Sequence, residues 1–185
     1  MNEEIRENTN GKFITLTFNE EALKKLMTEK KDENEIATLA MRRFLERWRK
    51  KYKKSVRHWF VTELGHENTE RIHLHGIIWT DESKGIIEDL WQYGIIWIGK
   101  WVNEQTINYI IKYIYKQDRD HPNYIAKVLT SPGIGASYIN KANAEKNSYN
   151  GTKTKETYTF RNGTQASLPI YYRNKLYNEE EREQL

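Results

Sequence analysis

Two histidines separated by one residue are the strongest chemical signal in the sequence. His73 and His75 fall in the β-branched, apolar segment 71–79, which predicts a strand. Side chains alternate between the two faces of a strand, so both imidazoles should point the same way, and such a pair can hold one divalent metal ion. The alternative is a pair of half-exposed strand histidines that bind no metal.

A carboxylate on the preceding segment strengthens the metal hypothesis. Glu63 lies in a second predicted strand, 57–64, and the polar turn 65–70 should join the two strands as an antiparallel hairpin. In that hairpin Glu63 would lie near His73. One carboxylate and two imidazoles, with positions left for water and phosphate, suit Mg²⁺ or Mn²⁺. The alternative is a surface carboxylate paired with a neighbouring cation.

The segment 103–116 predicts a helix with an unusual polar face. Its isoleucines should form the buried face. The opposite face carries two overlapping Y-x-x-K patterns, formed by Tyr109, Lys112, Tyr113 and Lys116. A tyrosine hydroxyl, with a pKa of about 10, is a weak nucleophile. A nearby ammonium group favours the phenolate and can neutralise charge on a phosphate. The alternative is an ordinary amphipathic helix with exposed tyrosines and lysines.

An α+β arrangement would bring these residues together. The sequence pattern predicts a single domain with a central antiparallel sheet and helices packed on it. Predicted strands cover 12–18, 57–64, 71–79, 94–102 and 124–130, and predicted helices cover 20–54 (softened near 30–34), 81–91, 103–116 and 136–146. We expect residues 1–11 to be a disordered N-terminus, residues 12–185 to form the domain, and residues 147–165 to be a mobile loop or hairpin.

Charge distribution suggests a nucleic-acid contact. The formal net charge is only +4, but the run 42–57 is dominated by Lys and Arg and holds a single acid. Such a run suits phosphate contacts. The candidate DNA-binding residues are Arg47, Arg49, Lys50, Lys53, Lys54 and Arg57. The alternative is a solvated helix face. Aromatic residues make up 12% of the chain, which suits base stacking as well as core packing.

Other features narrow the class of protein. The sequence contains no cysteine, so disulfides and thiolate metal sites are excluded. The N-terminal segment is polar and acidic, and the longest apolar stretches are too short to span a bilayer. We therefore expect a soluble, cytoplasmic protein with no membrane partner. The P-loop pattern G-x-x-x-x-G-K-[ST] does not occur, so strand separation would need a partner.

Taken together, these motifs resemble the HUH endonuclease superfamily. The segment 12–18 resembles the first strand motif of that superfamily, His73-Leu74-His75 resembles the second motif, and the helix 109–116 resembles the third. The two-tyrosine form is similar to the replication initiators of the Microviridae, which are small single-stranded DNA phages. The resemblance covers roughly residues 12–140 and does not extend to residues 147–185.

This resemblance implies a fold, a reaction and partners. It implies an HUH or RRM-like endonuclease fold in which His73 and His75 bind the metal, with Glu63 as third ligand. Tyr109 or Tyr113 would attack the phosphorus of single-stranded DNA at a replication origin, leaving a 5′-phosphotyrosyl link and a free 3′-OH. A host polymerase would extend that end and a host helicase would separate the strands, in a bacterial cytoplasm if a phage encodes the protein.

Two further hypotheses remain open at the level of sequence. A plasmid relaxase or a transposase of the same superfamily would use the same chemistry. A non-catalytic, RRM-like module would bind single strands through aromatic and basic residues without cutting them. Such a module accounts for the charge and the aromatic content, but it leaves the H-x-H pair, Glu63 and the doubled Y-x-x-K pattern without a role.

Overall fold

Contacts within the chain divide it into two units, Met1–Ile134 and Gly135–Leu185. The computed structural model describes residues 1–65, 71–99, 102–115, 121–160 and 163–185. The sequence predicts one domain over residues 12–185, whereas the chain separates at Gly135 into these two units. Within the described residues, no helix combines the length and apolarity needed to cross a bilayer.

The first unit contains a five-stranded sheet and five helices among its described residues. Its strands are β1 (Gly11–Leu16), β2 (Arg57–Leu64), β3 (Ile72–Trp79), β4 (Ile96–Ile98) and β5 (Val128–Thr130). Its helices are α1 (Asn2–Glu7), α2 (Glu20–Met27), α3 (Glu33–Tyr52), α4 (Lys84–Trp91) and α5 (Glu104–Tyr115). The predicted strands 94–102 and 124–130 are shorter than expected, and the predicted break near 30–34 separates α2 from α3.

All strand pairs of this sheet are antiparallel, in the order β4-β1-β3-β2-β5. The hairpin predicted from residues 57–79 is formed by β2 and β3, which pair over their full length. The predicted fold class, α+β with helices packed on a central antiparallel sheet, is therefore confirmed. Because β3 is the middle strand, its backbone is hydrogen-bonded on both sides.

Alternation along the strands divides the sheet into two unlike faces. One face is continuously apolar and packs against α3 and α4; its buried side chains include Ile14, Leu16, Phe60, Leu74 and Ile78. Gly76 of β3 also belongs here, because an added Cβ would lie 2.2 Å from the carbonyl oxygen of Trp59. The helices thus cover this face, and the chemically active side chains lie on the other one.

The second face is apolar only in part. Trp59, Val61, Ile77 and Trp79 are buried there beneath Ile110 of α5. The remaining part carries Glu63, His73 and His75, which follow the same alternation along β2 and β3. The packed part therefore holds α5 against the sheet while the polar part stays partly accessible.

The N-terminal segment is ordered by a buried ion pair. The sequence predicts disorder over residues 1–11, whereas the structure forms α1 over Asn2–Glu7. Glu4 is 1% exposed, and its carboxylate accepts two hydrogen bonds from the guanidinium of Arg57, one of them from Nε at 2.6 Å. Charge pairing with a residue more than fifty positions away is not visible in a local sequence pattern.

The second unit contains a small hairpin and short helices. Its elements are a 3₁₀ helix (Ala136–Asn140), α6 (Ala142–Glu145), β6 (Thr157–Thr159), β7 (Gln165–Ser167), α7 (Ile170–Leu176) and α8 (Glu179–Glu183). Tyr138, Ala144, Leu168 and Tyr177 form its core. The hairpin expected between residues 147 and 165 is formed by β6 and β7, and α7 is a helix that the sequence analysis did not predict.

Candidate active site

Glu63, His73 and His75 lie on adjacent strands at one end of the second face. The β2–β3 register pairs Glu63 with His73 and Val61 with His75. The β1–β3 register pairs Thr15 with His75. Directly paired residues of an antiparallel sheet project to the same face, so these side chains share one surface. The prediction that the turn after Glu63 brings it next to His73 is confirmed.

The closest contact in this group joins Glu63 to His75. The Oε2 atom of Glu63 lies 2.8 Å from Nε2 of His75, and both side chains are largely buried. On the other side of the ring, Nδ1 of His75 lies 3.0 Å from the hydroxyl oxygen of Thr15. If Nδ1 carries the proton and donates it to Thr15, the lone pair of Nε2 faces the carboxylate. A hydrogen bond of this kind orients histidines that bind metals.

The donor atoms of this pair fit a hard divalent ion. Two ligands at adjacent corners of an octahedral ion, with bonds of about 2.1 Å, lie about 3.0 Å apart. The 2.8 Å separation of the Glu63 oxygen and the His75 nitrogen is close to that value. A carboxylate oxygen with an imidazole nitrogen also suits Mn²⁺ or Mg²⁺ by ligand type.

His73 stands beside this pair rather than in contact with it. Its ring centroid is 6.3 Å from that of His75. Across the parts of the chain that the structure describes, no three His, Cys, Asp or Glu side chains are gathered closely enough to hold an ion together. The predicted three-ligand set is thus represented by one close pair and by His73, which is directly opposite Glu63 in the register.

Burial shapes the electrostatics of His73. Desolvation lowers the pKa of its imidazole below the usual value, and the neighbouring charge of His75 acts in the same direction. The carboxylate of Glu63 acts in the opposite direction and has a smaller effect than burial. A lowered pKa keeps the imidazole neutral, which is the form that can donate a lone pair to a metal.

Helix α5 carries the candidate nucleophiles over the same face of the sheet. Asn103 begins the helix, as predicted, because its side chain accepts a hydrogen bond from the backbone N–H of Thr106 at 3.0 Å. Ile107 and Ile110 are buried. Tyr109 is 49% exposed, and its ring meets the ring of Phe13 edge-on with centroids 5.8 Å apart.

Phe13 connects this tyrosine to the metal-ligand candidates. It lies on β1 two residues before Thr15, so both side chains project to the same face, and Thr15 touches His75. Two residues along a strand span about 7 Å. The ring that contacts Tyr109 is therefore borne by the strand position next to the one that contacts His75.

Gly99 leaves room for this arrangement. An added Cβ at Gly99 would lie 2.8 Å from Cδ1 of Phe13, which is closer than real Cβ contacts allow. The sequence analysis did not single out Thr15, Phe13 or Gly99 as functional. The alternation of KFITLTF over residues 12–18 does separate Phe13 and Thr15 from the buried Ile14 and Leu16, but only the register shows which neighbours they meet.

The other members of the doubled Y-x-x-K pattern are only partly described. Lys112 and Tyr113 lie within α5, but their side chains are outside what the structure describes. Lys116 lies outside the described residues altogether. The helix predicted over 103–116 is confirmed over Glu104–Tyr115, and the roles assigned to these three residues stay predictions.

One buried tyrosine can be set apart from the candidate nucleophiles. The hydroxyl of Tyr124 donates a hydrogen bond to Thr62 at 2.6 Å, on the face covered by α3. Burial raises the pKa of Tyr124 to about 12. A phenol that is buried, engaged and harder to ionise is unsuited to attack a phosphate.

Four of the six predicted DNA-binding residues form a compact basic group. Arg49, Lys50, Lys53 and Lys54 are exposed where α3 ends, and none forms an ion pair with an acid in the described ranges. This group lies near the Arg57 end of β2, which is six residues, or about 20 Å, from Glu63 along the strand. The basic group and the ligand pair are therefore at opposite ends of the sheet.

Arg47 and Arg57 are engaged within the protein. Arg47 donates to the backbone carbonyls of Leu90 (2.6 Å) and Trp91 (2.7 Å), which are the last carbonyls of α4. Arg57 pairs with the buried Glu4 and also donates to the carbonyl of Gly133. We therefore assign both arginines to holding the fold, in place of the DNA contact predicted from the sequence.

Comparison with known proteins identifies a family. The model of the replication-associated protein ORF2 family matches residues 11–118. The matched segment contains the three candidate metal ligands and both candidate nucleophiles, whereas the second unit lies outside it. No curated protein and no solved structure matches the chain.

Proposed function

Because this chain belongs to the replication-associated protein ORF2 family, which supports a role in initiating replication, we propose that it is a metal-dependent tyrosine endonuclease that nicks and rejoins single-stranded DNA at a replication origin. The observation that carries the proposal is the shared face of the sheet. The Glu63–His75 pair and the half-exposed Tyr109 lie on that face, linked through Thr15 and Phe13.

Glu63, His73 and His75 would hold Mg²⁺ or Mn²⁺. When bound, the ion would polarise the scissile phosphate and stabilise the charge that develops on its oxygens. Thr15 would fix the ring orientation of His75 through Nδ1. His73 is opposite Glu63, where paired Cβ atoms lie about 5 Å apart, so a side-chain rotation would bring its imidazole to the same ion.

The reaction would be a transfer of one phosphodiester bond to the protein. The phenol oxygen of Tyr109 or Tyr113 loses its proton and bonds to phosphorus, and the bond from phosphorus to the 3′ oxygen breaks. The products are a 5′-phosphotyrosyl link and a free 3′-OH, which a host polymerase can extend. Lys112 and Lys116 would favour the phenolate. Since the covalent link retains the phosphodiester energy, rejoining needs no nucleotide cofactor.

The nucleophile can be tested with tyrosine variants. Purified protein with Mn²⁺ and an oligonucleotide from its own replicon should yield a covalent protein–DNA band on a denaturing gel. The band should be absent in the double variant Tyr109→Phe, Tyr113→Phe. Mass spectrometry of the adduct should identify the attached residue. The matched control is Tyr171→Phe, since Tyr171 is 51% exposed but lies in the second unit.

Two results would decide against this assignment. Persistence of the covalent band in the double variant would exclude both tyrosines as nucleophiles. Specific DNA binding by the wild-type protein without any nicking would favour a non-catalytic binding module. Single Phe variants would then distinguish a two-tyrosine initiator, in which both residues act, from relaxase or transposase chemistry, in which one tyrosine suffices.

The metal site can be tested by calorimetry. His75→Ala and His73→Ala should each abolish nicking and weaken Mn²⁺ binding. The control is His58→Gln, because His58 is buried at the other end of β2 and bonds to Val56 and Ser131. Unchanged Mn²⁺ affinity in either alanine variant would remove that histidine from the site.

The exposed basic group at the end of α3 would bind DNA that flanks the nicked strand. Its distance of about 20 Å from the ligand pair makes it a separate contact. The absence of a P-loop motif means that a host helicase would separate the strands.

A further inference from the structure

Trp97 differs from the other tryptophans that the structure describes. It is 63% exposed, whereas Trp48, Trp59, Trp79 and Trp91 are at most 9% exposed. Trp97 lies on the edge strand β4 between Ile96, which is fully buried, and Ile98, which packs against the same core. Its indole therefore projects from the face opposite the helices. An isolated exposed apolar residue is ordinary on a protein surface, so its position is the informative feature.

The register places Trp97 in one row with the candidate metal site. Trp97 pairs with Thr15 on β1, and Thr15 pairs with His75 on β3. The three side chains project to the same face. Neighbouring strands are about 4.8 Å apart, so the Cα atoms of Trp97 and His75 are about 10 Å apart. The intervening Thr15 is small and bonds to His75.

An exposed apolar residue extends this surface. Ile95 is 70% exposed and directly precedes β4, where its backbone carbonyl accepts the N–H and the hydroxyl of Thr17. Thr17 is two residues beyond Thr15, and so on the same side of β1. Ile95 and Trp97 thus form an apolar rim beside the histidine-bearing part of the sheet.

We propose that Trp97 is a stacking platform for a nucleobase next to the scissile phosphate. The proposal rests on the proposed function, because it takes the bound phosphate to lie at the His75–Glu63 pair. Aromatic residues on an exposed sheet face stack the bases of single strands, and every base offers a suitable π-face. A strand that runs from His75 across Thr15 toward β4 brings a flanking base onto the indole. Trp97 is then a positioning residue for the phosphate.

A binding experiment separates stacking from cleavage. The probe is fluorescein-labelled oligothymidylate, the buffer contains EDTA, and the background is the double variant Tyr109→Phe, Tyr113→Phe. Trp97→Ala should weaken the Kd by roughly 5- to 100-fold, as expected for the loss of one stacked base. Trp97→Phe should restore most of the affinity. The control is Ile125→Ala, because Ile125 is 81% exposed and precedes β5 at the opposite edge of the sheet.

Tryptophan fluorescence supplies a readout that a merely structural role would not give. Binding of oligothymidylate should quench the emission of the protein, and most of that quenching should be missing in Trp97→Phe although the protein still binds. In the nicking assay, Trp97→Ala should raise KM more than it lowers kcat, since the chemical groups stay in place.

Each alternative outcome has a distinct meaning. Equal oligothymidylate affinity for wild type and Trp97→Ala overturns the stacking proposal, even if the wild type nicks normally. Equal affinity together with a change of oligomeric state in Trp97→Ala would assign the rim to a protein contact and also overturns it. A Trp97-dependent Kd in a wild-type protein that never nicks supports stacking and contradicts the proposed function.

Discussion

Arg47 and Arg49 are two residues apart on α3, and the structure gives them opposite roles. The guanidinium of Arg47 binds the last carbonyls of α4 and lies 5.1 Å from the ring centroid of Tyr93. Arg49 is exposed in the basic group at the end of the same helix. Arg47→Ala should therefore lower stability and leave DNA affinity unchanged, whereas Arg49→Ala should do the reverse.

The expected magnitudes follow from these contacts. A hydrogen bond from a charged donor contributes about 1.5–3 kcal/mol, and the two carbonyl bonds share one side chain, so Arg47→Ala should lose about 2–4 kcal/mol. For a chain of this size, such a loss lowers Tm by about 5–15 °C. Arg49→Ala should change stability by no more than about 0.5 kcal/mol. Loss of one phosphate contact should reduce the salt dependence of single-strand binding by about 0.7 in slope.

Thermal unfolding and salt-dependent fluorescence polarisation measure both effects on the same preparations. Because the two substitutions are identical in chemistry, each variant serves as the control for the other. The reasoning would be refuted if Arg47→Ala kept its Tm within about 2 °C of wild type while the slope of log Kd against log salt fell. That result would return Arg47 to the DNA-binding surface predicted from the sequence.

Three further predictions concern the sheet. Gly99→Ala should slow nicking because its Cβ would displace Phe13 from beneath the tyrosine ring, whereas Gly85→Ala, which meets open space, should not. Thr15→Val should weaken Mn²⁺ binding by about 10- to 100-fold through loss of the bond to the imidazole, as calorimetry would show. Burial lowers the pKa of His58, so the unfolded chain binds more protons below about pH 6.5 and stability should fall with pH there; His58→Gln should reduce this fall in urea titrations between about pH 7.5 and about pH 5.5. Equal nicking by both glycine variants, unchanged Mn²⁺ affinity, or an unaltered pH dependence would contradict the respective prediction.

The sequence was informative where chemistry and local periodicity coincide. The spacing of His73 and His75 requires a strand, and the short turn after Glu63 leaves few ways to pair it with the strand before. The apolar spacing of 103–116 similarly defined which side of α5 is buried, as Ile107 and Ile110 show. In these segments, the pattern that specifies the local structure also specifies which residues face each other.

Contacts between distant segments could not be predicted in this way. The roles of Arg47 and Arg57 depend on carbonyls at the end of α4 and on Glu4, which no local pattern connects to them. Side-chain composition made the whole run 42–57 look like a single phosphate-binding surface. Only the fold separates cations that satisfy buried acceptors from cations that remain exposed at the end of α3.

The two faces of the sheet explain how a partly open site can remain well positioned. Glu63, His75 and Thr15 belong to the three inner strands, so each backbone segment that carries them is held by a neighbouring strand on either side. The face behind them packs continuously against α3 and α4. Rigid support of this kind holds functional side chains within the narrow tolerances that catalysis needs. The face that carries the site can then leave a gap between its apolar core and the edge strand, and this gap, bordered by His75, Tyr109 and Trp97, is where a single DNA strand would have to lie.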